Sequence, residues 1–240
     1  MATEEKHTLN VLSGGAVKRG IAGVAKAFEK ENGCTVTIQF ATAPAMREKV
    51  EKNVTGADVI VAPVPSMKKF EDQGKVMKGT PIVAGSVMAG VVVKDGAKEP
   101  DLSSAASLKQ DILDAEGLVY NQASSGIYIE KMIEGLGIAD RVAAKTVRTP
   151  TGGGVMEHLI ESSSRNEIGF GQITEIIVFK GKGVHLVGPL PKELENLTTY
   201  AAGVLRDAED ADLAQRFVSF IKTPAARAAF EATGVTPPKD

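Results

Sequence analysis

The chain has a single cysteine, Cys34, which excludes an intrachain disulfide and any multi-thiolate metal site. It has few histidines as well. His7, His158 and His185 sit in no HExxH or comparable motif, and no GxSxG elbow is present, so no catalytic residue and no metal ligand is expected. The basic excess of a nucleic-acid binder is missing: the net charge is −2. No apolar run is long enough to cross a bilayer, which takes about 20 residues. The longest, TPIVAGSVMAGVVV, is broken by Gly85 and Gly90 and reads as buried strand. A secretory leader would begin basic and turn apolar, whereas MATEEKHTLNV begins acidic. Two origins therefore stay open: a periplasmic protein whose leader lay ahead of Met1, or a cytoplasmic one for which Met1 is the native start.

What is present is an ordinary globular composition, 43% apolar and 24% charged over 240 residues, enough for one large domain or two small ones. HTLNVLSGG reads as a strand ending in a turn. Ile21, Val24, Ala25 and Phe28 then recur at helical spacing over Val17 to Glu31. Val36, Ile38 and Phe40 alternate on a second strand, ATAPAMREKVEKNV opens a helix with Pro44 in its first turn, and ADVIVAP is a buried strand. This strand–helix alternation is the signature of an open parallel α/β sheet. The pattern resumes at residue 89: AGVVV, GLVYN, AAKTVRT and, with a turn, EIGFGQITEII as strands, SLKQDILDA, SGIYIEKMIEGLG and TGGGVMEHLIESSS as helices. A Pro-containing link near 185–205 leads into another strand, and the end is helical. Two α/β lobes are expected, residues 1–81 with 196–240 and residues 82–195, with a ligand cleft between them.

One device recurs. A strand ends in a small or polar loop that opens a helix at Ser13-Gly14-Gly15, Thr42-Ala43-Pro44, Ser124-Ser125-Gly126 and Thr151-Gly152-Gly153-Gly154. The first amides of a helix lack partners within it, and the field there favours an anion. Hydroxyls add donors, and glycines admit a ligand close to the main chain. Ser and Thr are also the common N-caps, and the two roles are compatible. No Gly-Lys-Ser/Thr follows the glycines, so this is not a nucleotide-phosphate loop. Cys34 and the phenylalanines Phe28, Phe40, Phe217 and Phe220 suit packing.

The run from LNVLSGG to ADVIVAP, with VYNQASSGIYIEKMIEGLGI, GGGVMEHLIESSSRNEIGFGQITE and AQRFVSFIKTPAARAAFEATGVTPP, resembles the molybdate-type periplasmic solute-binding proteins of the type II binding-protein fold. That resemblance implies two lobes joined by two crossing strands. It also implies a small anion trapped by hinge closure, permease subunits of the ABC type as partners, no cofactor, no membrane insertion and a monomer. Carried over by position, it implies ligand contacts from Ser13, Gly14, Gly15, Thr42, Ala43, Ser124, Ser125, Gly126, Tyr128, Thr151, Gly153 and Gly154. Gln172, which aligns near a tyrosine of the family, is a further implied ligand contact. Hydroxyls usual in the family's first two loops are absent here, so a small organic carboxylate fits as well as molybdate. Arg19, Arg47 and Arg148 lie near loop ends; Arg148 is the one counted as a ligand contact, since a guanidinium holds a carboxylate through two parallel bonds. Two other functions share the scaffold: a transferase-like enzyme, which would show a cofactor-attachment cysteine or an acid–base pair, and a cytosolic small-molecule sensor.

Overall fold

The computed structural model describes residues 7–238. The chain divides into two compact units, Met1–Ser86 with Thr199–Asp240, and Val87–Thr198. The first unit begins with β1 (Thr8–Gly14), a 3-10 turn (Gly15–Val17), α1 (Lys18–Asn32), β2 (Thr35–Ala41), α2 (Ala43–Glu51), β3 (Val59–Pro63) and α3 (Val64–Asp72). The long strand β4 (Ile82–Lys94) carries the chain into the second unit. There follow α4 (Ala105–Asp114), β5 (Gly117–Asn121), α5 (Ser124–Gly135), α6 (Ala139–Val142), β6 (Thr146–Thr149), α7 (Gly152–Glu161), β7 (Glu167–Gln172), α8 (Ile173–Ile176) and β8 (Val184–Pro189). β9 (Leu197–Val204) returns the chain to the first unit, which α9 (Ala211–Phe220) and α10 (Pro224–Glu231) complete.

In the first unit β1 lies between β2 and β3 and parallel to both, and β9 adds to β3 antiparallel, from Val59↔Val204 to Pro63↔Tyr200. The helical spacing expected for α1 is realised: Ile21, Val24, Ala25 and Phe28 are all buried. Phe28 meets Phe217 and Phe220 of α9 edge-on, with centroids 5.1 and 5.4 Å apart. The helix stops at Gly33, whose φ of +64° is the left-handed conformation that glycine adopts without a Cβ penalty. A second cluster, with Leu12, Met46, Ile60, Met67 and Phe70, fills another part of this core.

In the second unit the strand order is β8-β4-β7-β5-β6. β4 is antiparallel to both β7 and β8, while β5, β6 and β7 are mutually parallel. Alternation along β5 serves two cores. Leu118 and Tyr120 join a cluster with Leu108, Ile129 and Phe170, whereas Val119 joins one with Val155, Met156 and Leu159.

The structure adds one element to the sequence reading and departs from it in three places. VPSMKKFED forms α3, with Pro65 in its first turn. The β-branched ITEI forms α8, because burying Ile176 beside α7 outweighs strand propensity. HLVGP, expected as a link, pairs with β4 as β8. Ahead of β6, the AAK expected as strand is a 3-10 turn.

Candidate functional site

Parallel pairing brings the carboxyl ends of β5 and β6 together: Asn121 is opposite Thr149, and the Gln122 amide donates to the Thr149 carbonyl at 2.9 Å. Helices α5, α7 and α8 start at that edge of the second unit. In open α/β sheets this is where ligands sit.

Asn121 builds the start of α5. It is fully buried, and its Oδ1 accepts from the Ala123 amide at 2.8 Å and the Gly126 amide at 3.2 Å. Its Nδ2 donates to Ser125 Oγ at 2.9 Å. The N-cap itself is Ala123, whose side chain offers no acceptor. Ser124 and Ser125 are therefore not caps, and their amides meet no acceptor among the described residues. Ser125 Oγ already accepts from Asn121, so its hydroxyl proton remains a donor. Gly126 is required by the protein itself: a Cβ there would overlap the Asn121 carbonyl oxygen.

At α7 the loop is a genuine cap. Thr151 Oγ1 accepts from the Gly154 amide at 3.2 Å, and Thr149 Oγ1 donates to the Thr151 carbonyl at 2.9 Å. The Gly152 and Gly153 amides are left without acceptors among the described residues. A Cβ on Gly152 would overlap the Glu175 carboxyl, while around Gly153 the nearest atoms stand off at 4.0 Å. Glu175 sits on α8 beside this helix start. Burial pushes its carboxyl up to about 7, although the residue as a whole keeps some exposure to solvent.

Other expected contacts are engaged elsewhere. Tyr128 donates its hydroxyl to the Leu194 carbonyl at 3.0 Å. Arg148 lies 2.7 Å from Glu130 Oε1, stacks 4.5 Å above the Tyr120 ring and reaches the Asn121 carbonyl at 3.4 Å. That guanidinium is thus already paired with a carboxylate. Gln172, 2% exposed, donates from Nε2 to Thr198 Oγ1 at 3.2 Å.

In the first unit β1 and β2 end side by side, Gly14 opposite Ala41. Ser13 is fully buried and donates to the Gly14 carbonyl at 3.2 Å. Gly14 packs on Tyr200, whose ring would lie 2.9 Å from an added Cβ. Gly15 opens the 3-10 turn, not a regular helix. Thr42 is the N-cap of α2 by position but makes no side-chain capping bond, so its hydroxyl is open, and Ala43 is the first helical residue.

Asn121 and Glu175 were missed by motif reasoning. Asn121 ends a strand two residues before a helix, the position at which an Asx side chain turns the chain, and that signal was legible. Nothing local marks Glu175, because its partner Gly152 is remote in sequence. His158, which sits in no catalytic or metal motif, has Nε2 3.3 Å from Glu167 Oε1. Among the described residues no cluster of His, Cys, Asp and Glu is arranged to hold a metal ion, and no helix is long and apolar enough to cross a membrane.

A family profile described as bacterial extracellular solute-binding protein matches residues 9–236. A protein of a Pseudomonas species named aconitate isomerase is 25% identical over 247 aligned positions, covering 99% of this chain and 90% of its own. Among solved structures, a periplasmic molybdate-binding protein of Azotobacter vinelandii superposes with a TM-score of 0.74 at 18% identity, covering 96% of this chain and 100% of that one. A periplasmic thiamin-binding protein gives 0.77 at 15% identity, covering 100% and 86%. These likenesses establish the two-lobed type II binding-protein fold, and the two proteins are named for different ligands.

Proposed function

Because the chain belongs to the bacterial extracellular solute-binding proteins, we propose that it captures a small anion by hinge closure and hands it to an ABC-type permease outside the cytoplasmic membrane. The observation that carries this reading is the set of unengaged neutral donors at the helix starts: the Ser124, Ser125, Gly152 and Gly153 amides and the Thr42 hydroxyl. Partial positive charge on such groups stabilises a bound anion without a countercharge, and closure excludes water and strengthens each contact. The test is a thermal-shift screen with molybdate, sulfate, phosphate, citrate, malate and aconitate. A ligand at a hundred times its Kd adds about 2.7 kcal/mol of stability, and the melting temperature should rise by several degrees. A flat response to the whole panel sinks the proposal.

A second reading is favoured by the likeness to the protein named aconitate isomerase, which runs along 99% of this chain. In that reading the anion is an unsaturated tricarboxylate, and Glu175, beside the start of α7 and held near neutral pKa, moves the proton. Proton NMR of cis-aconitate incubated with the protein decides it. Growth of trans-isomer signals supports catalysis, and binding with no new signals leaves transport.

A further inference from the structure

The turn from β7 into α8 carries two acceptors without matching donors. Gln172 closes β7 at its carboxyl end. Its Nε2 donates to Thr198 Oγ1, and the Thr198 hydroxyl donates onward to Asn196 Oδ1 at 3.4 Å. Thr198 thus bridges the Gln172 and Asn196 side chains. Oε1 is left buried with no partner among the described residues. A buried amide oxygen without a donor costs roughly 1–3 kcal/mol, so its retention needs a reason. Three residues on, the Glu175 carboxyl stands where a Cβ of Gly152 would be, against the free amides of α7.

We propose that this turn recognises a hydrogen-bond donor on the ligand, so that the solute is an organic anion bearing a hydroxyl or N–H group and not an acceptor-only oxyanion such as molybdate. The inference rests on the anion-binding reading above and names the chemical class within it. Molybdate and sulfate, fully ionised at neutral pH, would set lone pairs against the lone pairs of Gln172 Oε1. A hydroxy acid satisfies both halves of the unit: its carboxylate takes the amides at the starts of α5 and α7, and its hydroxyl donates to Gln172. Glu175 adds to the same demand. When ionised, its carboxyl beside Gly152 is a second acceptor at the start of α7.

Calorimetry on the intact protein with matched pairs tests this: malate against succinate, citrate against propane-1,2,3-tricarboxylate, and molybdate as the acceptor-only probe. The hydroxylated member of each pair should bind about tenfold tighter, the equivalent of one good hydrogen bond. In Gln172→Leu that ratio should fall toward one. Equal affinities within each pair, molybdate binding more tightly than every hydroxy acid, or an undiminished ratio in Gln172→Leu would each overturn the inference. The wild-type comparison stands even where the variant fails to fold. If no anion binds at all, the anion-binding reading fails and this inference goes with it; binding without discrimination removes this inference alone.

Discussion

At the residue scale, the glycines of the candidate loops have different reasons to be glycine, and substitutions separate them. Gly126→Ala drives a Cβ into the Asn121 carbonyl oxygen and breaks the turn into α5. Overpacking of this kind costs about 3 kcal/mol, to be read as a lower midpoint in denaturant unfolding. Gly153→Ala, by contrast, enters open space at a helix start. It should stabilise by about 0.5–1 kcal/mol, because alanine loses less backbone freedom on folding. Glu175 gives a second residue-scale prediction. A carboxyl whose folded pKa lies above its unfolded value contributes stability that is present below the unfolded pKa and lost as pH rises through the folded one. With values of 4.5 and about 7, the loss falls between pH 4.5 and pH 8. Glu175→Gln should therefore gain stability relative to wild type across that window, by at most about 3 kcal/mol. Melting curves of both proteins at pH 5 and pH 8 check the sign.

At the element scale, Asp58 ties separate segments together. It is 2% exposed and accepts from the Asn10 amide of β1 and from the Glu209 amide ahead of α9, both at 2.8 Å. Asp58→Ala orphans two amides and should cost about 3 kcal/mol, measurable by urea unfolding. The same scale shows what was legible in the sequence. Elements with a clean period emerged directly: the apolar stripe of α1, the alternation of β2, the buried run of β3. Elements whose identity depends on distant packing did not. Ile173–Ile176 is β-branched and is nonetheless helical, because Ile176 fills the core beside α7. The candidate site divides in the same way. Loops rich in Ser, Thr and Gly were visible. Which hydroxyls remain open was not, since Tyr128 is taken by Leu194 and Arg148 by Glu130, partners that no local pattern announces.

At the scale of the whole molecule, the second unit is one uninterrupted stretch, Val87–Thr198, with two core clusters of its own. It should fold when produced alone, giving a dispersed amide NMR spectrum and a cooperative melt. The first unit is assembled from two stretches, and its sheet is finished only when β9 pairs with β3. Deleting residues from 199 onward should therefore abolish folding of the first unit while leaving the second with a melt close to that of the isolated piece.

That late pairing has a consequence during synthesis. β3 leaves the ribosome early, five buried residues long, and the strand that covers its flank emerges only after the whole second unit. For that interval the nascent chain presents a bare, apolar strand margin, which neighbouring chains can capture. Slowing translation ahead of Leu197 would lengthen this exposure and should divert product into aggregates without altering the finished protein.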